Sequence, residues 1–134
     1  MWGIMAAFKH GTTIHRNGGY PRLSVGPHRY RYIHVLVAEA MLGRELQKDE
    51  HVHHMNGDVR NPKWTNLLVI TKGIHNAVSQ RQYWYLKQKY TKEDAAWLAY
   101  FDVTGESASD AKKRQNEQIL NARFDEVSFE TQSM

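Results

Sequence analysis

The 134-residue chain contains no cysteine. That excludes a disulfide framework and any thiolate zinc site. No run approaches the ~18 apolar residues that a membrane span requires. Low-complexity tracts and internal repeats are also missing. The amino end, MWGIMAAFKHGTTIHRNGG, is too polar after Phe8 for a secretory signal. These absences predict a soluble, intracellular protein with no membrane partner. What is present suits folding: 41% hydrophobic and 11% aromatic residues allow one domain with a modest core and a helical appendage.

Charge is distributed unevenly. Residues 1–90 carry 13 Lys/Arg against 5 Asp/Glu, whereas residues 91–134 carry 5 against 9. A basic segment is compatible with ordinary solubility charge and with a polyanionic partner.

Along the chain, Tyr20–Val25 and Arg29–His34 alternate around Gly26-Pro27, a pattern that predicts an antiparallel hairpin over 19–34. Val35–Leu42 is apolar almost throughout and ends at Gly43, so it predicts a short buried helix. His34, where that helix begins, is expected to be a structural hydrogen-bonder. Val52-His53-His54, the Asn56-Gly57-Asp58 turn and Leu67–Thr71 predict a strand, an irregular loop and a second strand. From Gly73 to Tyr90 apolar positions recur at three and four, as in a helix. Thr91-Lys92-Glu93-Asp94 reads as a capped helix start. Gly105 breaks that helix, and Ser107 or Ser109 begins a last one through Arg123. Trp84, Tyr85, Trp97 and Leu98 are expected in the core. Residues 91–134 are read as a helical accessory region that packs on the core, forms a dimer contact or touches DNA.

Four of the eight histidines lie between positions 51 and 75, in HVHHMNGDVRNPKWTNLLVITKGIH. Imidazole is competent as a base near neutral pH and as a metal ligand. Adjacent strand residues face opposite ways, so His53 and His54 could serve one site only from a distorted strand end. Asp58, Asn56 and Asn61 are expected to bond local backbone in the turn.

The segments AEAMLG (38–43), HVHHMNGD (51–58) and TNLLVIT (65–71), together with His75, resemble the HNH endonucleases of phage and intron type. Spacing agrees as well as residue type, with 12 positions from His54 to Asn66 and 9 more to His75. The resemblance extends back to Gly19-Tyr20-Pro21-Arg22. It implies an α+β fold: a ββα-metal (His-Me finger) core at 51–90, preceded by a β-hairpin and short helix, all within a nuclease domain spanning 1–90. C-terminal accessory helices follow at 91–134.

The resemblance also implies roles. His54 aligns with the general base that activates water, and Asn66 with the residue that orients it. His53 and His75 align with metal ligands. The implied reaction is metal-dependent hydrolysis of DNA, leaving 5′-phosphate and 3′-hydroxyl ends. A His/His pair suits Mn²⁺, Ni²⁺, Co²⁺ or Zn²⁺ better than Mg²⁺, although Mg²⁺ serves where phosphate and water complete its shell. Mn²⁺ and Mg²⁺ are the expected working ions.

Arg22, Arg29, Arg31, Lys63, Lys72, Arg81, Lys87 and Lys89 are the expected phosphate contacts on duplex DNA. Double-strand cleavage by a single site would need a homodimer or two successive nicks. The family likeness further suggests a bacterial or phage-encoded, cytoplasmic protein. The competing reading is an HNH-fold DNA-binding regulator without catalysis. A weaker third is a structural zinc protein built on His53, His54 and His75, which metal removal would unfold.

Overall fold

The computed structural model describes the backbone of residues 13–16, 20–23, 26–28 and 30–133, and side chains from Tyr20 to Arg123 within those ranges. Strands β1 (Thr13–Arg16) and β2 (Tyr20–Leu23) pair antiparallel, Thr13 opposite Leu23 and Arg16 opposite Tyr20. Helix α1 spans Ile33–Leu42. Strands β3 (Glu50–His54) and β4 (Leu67–Thr71) form a second antiparallel pair, joined by a loop ending in a 3₁₀ turn at Trp64–Asn66. Helices α2 (Lys72–Lys87), α3 (Lys92–Thr104) and α4 (Ala108–Ser133) follow. The architecture is α+β, a ββα unit with a preceding hairpin and helix and with C-terminal helices. No helix among the described residues is long and apolar enough to cross a membrane.

The hairpin differs from the expected one. Its partner strand is Thr13–Arg16, not 29–34. The second alternating run contributes one bridge, Arg22 with Tyr32, and backbone bonds between Leu23 and residues 30 and 31. Ile33 and His34 then turn into α1, because the apolar run beyond them buries better as a helix. Ile33, Leu36, Val37, Ala38 and Met41 are all buried, as expected of a helix covered nearly all round. Gly43 ends it at φ +75°, with its N–H returned to Glu39 O.

The β3–β4 pair is packed on both faces. Val52 and Leu67 face Leu23, Ile33, Leu36 and Val37. Leu68, Ile70 and Met55 face Val78 of α2, Ala99 and Tyr100 of α3, and Ala108 and Ala111 of α4. Cross-strand partners share a face and neighbours alternate. Tyr85 and Trp97 pack against this second cluster from its rim. Trp84 (45% exposed) and Leu98 (37%) do not join it, contrary to expectation: the inward stripe of α2 runs through Val78 and Tyr85, one position beside Trp84.

Thr91 caps α3 by accepting from Asp94 N, and Gly105 closes that helix at φ +79°. Helix α4 packs on the core. Gln115 donates to Val69 O at 2.9 Å and accepts from Val69 N at 3.1 Å, so its amide satisfies the outer edge of β4 as a neighbouring strand would. Arg123 donates to Met41 O at the end of α1. Buried Lys112 lies under Trp64, its Nζ 2.9 Å from Met41 Sδ, and burial pushes its ammonium down to about 8.

Gly57 joins the loop after β3 to α3. It adopts φ +76°, and a Cβ there would lie 2.7 Å from Lys92 O. Backbone of a helix start cannot yield as a side chain would. Gly57→Ala is expected to cost roughly 2–3 kcal/mol, seen as a fall of about 6–10 °C in Tm by calorimetry; an unchanged Tm would show that α3 does not rest on this loop.

Candidate active site

Five imidazoles converge on β3. His51, His53 and His54 come from the strand itself, His34 from the first turn of α1 and His75 from the first turn of α2. Strand β3 is regular through His54, which pairs with Leu67, and Met55 N continues the ladder to Asn66 O at 2.8 Å. No distortion brings His53 and His54 together, so they face opposite ways. His53 stacks on Tyr100 with centroids 5.6 Å apart. His54 packs edge-on against His34 at 5.0 Å and against Tyr20 at 6.0 Å.

Among the described residues, the second edge of β3 has no strand partner in this two-stranded sheet. Residues from both faces meet around it. A cavity of about 270 Å³ opens there, lined by Glu50, His51 and Val52 along the strand, by Tyr20, Tyr32 and His34 on one side, and by His75 on the other. His51 Nδ1 lies 3.2 Å from His75 Nδ1. Thr71 caps α2 by accepting from Ile74 N, which sets His75 one turn into the helix, at its positive end.

Burial makes the cluster electrostatically unusual. Desolvation, with His75 adding repulsion, holds His34 and His53 at about 4. His54 is held at about 3 by desolvation, then by His34 and His53, with Asp58 opposing weakly. His75 is lowered by burial and by His51. Buried nitrogens His34 Nδ1, His53 Nε2 and His54 Nε2 have no hydrogen-bond partner among the described residues. Neutral, unpaired imidazole nitrogens are costly to bury unless something else uses them.

Asn66 acts on the loop. Its Oδ1 accepts from Asn56 N at 3.0 Å and its Nδ2 donates to Asn61 O at 3.1 Å. Both ends of the amide are occupied by backbone, so it steadies the segment following His54 and makes no bond to the His54 ring. Asn56, Asp58 and Asn61 accept from Asp58 N, Arg60 N and Lys63 N, the local turn bonds expected of them.

Residues 31–77 match a family model described as HNH endonuclease. Over those residues the chain is similar to the HNH endonucleases. No curated protein and no solved structure matches the chain. The HNH segment runs from Arg31 through the first turns of α2 and contains all five clustered histidines. An HNH domain implies nucleic-acid binding and suggests nuclease activity.

Two of these histidines escaped the sequence reading. His34 was expected to be a structural hydrogen-bonder, yet its Nδ1 has no partner and its ring lines the cavity. His51 has no expected role, yet strand alternation from His53 places it on the face that α2 covers. Among the expected phosphate contacts, Arg22 is exposed and bonds the Tyr32 hydroxyl while stacking on its ring. Arg31 is paired with Glu39 and Arg81 with Asp102. Lys87 lies over Tyr83. Lys63, Lys72 and Lys89 are exposed, and Arg29 lies outside the described residues. Among the described residues, no group of three or more His, Asp or Glu side chains is disposed to hold a metal ion. A metal here would have two protein ligands, its other positions filled by water and phosphate, and the imidazole donors fit Mn²⁺, Co²⁺, Ni²⁺ or Zn²⁺ better than Mg²⁺.

Proposed function

We propose that this chain is a metal-dependent DNA endonuclease, cutting phosphodiester bonds to 5′-phosphate and 3′-hydroxyl ends, with Mn²⁺ or Mg²⁺ as working ion and duplex DNA as substrate. The observation that carries this reading is the convergence of His34, His51, His53, His54 and His75 around one strand, with His34, His51 and His75 lining an open cavity and His53 and His54 buried behind it.

Each residue has a task on this reading. Burial holds His54 uncharged at neutral pH, which leaves a ring nitrogen to accept the proton of an attacking water but makes it a weaker base than an exposed imidazole. A phosphate arriving beside it raises its proton affinity by Coulomb attraction. Asn66 holds the loop after His54 and so fixes where the ring stands. His75 and a histidine of β3, His53 by family likeness, hold the divalent ion. Once bound, the ion supplies Lewis-acid stabilisation of charge on the leaving oxygen. The positive end of the α2 dipole adds to the attraction for phosphate. Arg22, Lys63 and Lys72 neutralise flanking phosphates, with Lys87 and Lys89 further along α2.

The competing reading, binding without cleavage, has one observation behind it: His54 is only 5% exposed, behind His34 and Tyr20. Supercoiled-plasmid cleavage separates the two. The expected result is nicked or linear product with Mn²⁺ or Mg²⁺ and none with EDTA. DNA retardation in a gel without any cleavage across metals and substrate sequences would replace the nuclease with a binding protein. The nicked-to-linear ratio then reports whether one site cuts one strand or a homodimer cuts both.

A further inference from the structure

We propose that His51, rather than His53, is the strand ligand that joins His75 on the divalent ion, and that His53 has a packing role. This rests on the nuclease reading and departs from the family assignment at one residue.

The geometry favours His51 in three ways. Two nitrogens bound at ~2.1 Å to one ion at neighbouring coordination positions lie about 3.0–3.4 Å apart. His51 Nδ1 and His75 Nδ1 are 3.2 Å apart. On the same bond lengths the two ring centroids fall about 4.5–5.3 Å apart. The His51–His75 centroids are separated by 5.0 Å, whereas those of His53 and His75 are 6.3 Å apart. The longer separation suits ligands nearly opposite one another, an arrangement that leaves the ion between the two rings.

Access is the second consideration. A nuclease ion must keep positions for water and for a phosphate oxygen, so at least one side must be open. His51 and His75 both line the cavity at the free edge of β3. His53 does not: it is 2% exposed, with its ring stacked on Tyr100. The Tyr100 ring of α3 covers one face of that imidazole and closes it off from the cavity side.

The third consideration is the strand itself. Residues 51 and 53 share the face covered by α2, opposite Ile70 and Leu68 respectively. His51 is nearer the end of the hairpin where α2 begins, since Thr71 pairs with Glu50 and caps that helix. The chain leaves β4 and enters α2 directly beside His51, which is why His75 reaches that residue first. The bland alternative is a simple N–H···N hydrogen bond between the two rings.

Metal binding by the full-length chain at pH 7.5 distinguishes these. Titration calorimetry with Ni²⁺ and with Mn²⁺ is run on wild type, His51→Gln, His53→Gln and His75→Gln, with Tm recorded for each. His51→Gln and His75→Gln are expected to weaken Ni²⁺ binding at least tenfold, and His53→Gln to leave it within about threefold. Should His53→Gln fail to fold, a Zn²⁺ titration of wild type followed through the histidine ring ¹⁵N signals decides alone: those of His51 and His75 move, and that of His53 does not. Full-strength binding by His51→Gln, or a shift at His53 in place of His51, overturns the proposal and returns the ligand role to His53 while the nuclease reading stands. A wild type that binds no divalent ion, with or without a DNA duplex present, overturns both.

Discussion

His54→Ala is expected to lower plasmid cleavage by at least a hundredfold while leaving DNA affinity and metal affinity near wild type. General-base catalysis is worth roughly 10²–10⁴ in rate, and alanine leaves no proton acceptor at that position. Binding terms should survive because the exposed basic groups lie elsewhere, on Arg22, Lys63, Lys72, Lys87 and Lys89. The decisive pattern is therefore a fall in kcat without a matching rise in KM. Folding needs its own control, because His54 is 5% exposed and fills space between Tyr20 and His34. His54→Gln retains much of the volume and offers an amide oxygen in place of the ring nitrogen. If both variants keep the wild-type Tm within a few degrees and lose cleavage, the loss is chemical. If His54→Ala cuts as fast as wild type, the base is another group, and His34 is next in line, because it packs on His54 and lines the cavity.

The ββα unit was legible because its signals are local. Asn56-Gly57-Asp58 forms the turn, Thr91 caps a helix, and Gly43 and Gly105 end helices. Each depends on a few neighbours in the chain. What escaped depends on distant partners. His34 looks like a polar interruption in an apolar helix until α1 is laid against β3. Gln115 looks like a solvated helix residue until its amide is seen closing the edge of β4. The run 29–34 has alternation suited to a strand, but burial of Ile33 and His34 beside Leu36 and Val37 drew its end into the helix. Tertiary burial outweighs a weak local preference of this kind. Two-residue periodicity alone puts His51 on the face of His53.

The second large effect is acid instability. His34 and His53 are held at about 4 and His54 at about 3, chiefly by desolvation. An exposed imidazole in the unfolded chain titrates near 6.5. As pH falls, the unfolded chain takes up protons first, so protonation favours unfolding. Stability is accordingly greatest above about pH 6.5 and is lost progressively as pH falls toward about 4, with His54 continuing the loss to about 3. One histidine held near 4 withdraws roughly 3 kcal/mol when fully titrated. Three adjoining ones titrate as a coupled group, so their effects do not add. At pH 5 each ring has withdrawn at most about 2 kcal/mol, so a domain near the low end of the usual range of about 5–15 kcal/mol approaches its unfolding midpoint there, above the pH at which carboxylate protonation alone would act. Urea denaturation followed by circular dichroism from pH 8 to pH 4 checks this: the midpoint should hold steady to about 6.5 and fall steeply below it. His34→Leu, which removes one of the titrating rings from an apolar helix face, should move the acid transition to lower pH. A urea midpoint that stays flat from pH 7.5 to 5 would mean the cluster opens to water without unfolding. In that event the unpaired nitrogens are solvated in solution, and the buried, uncharged His54 on which the catalytic argument depends would have to be given up.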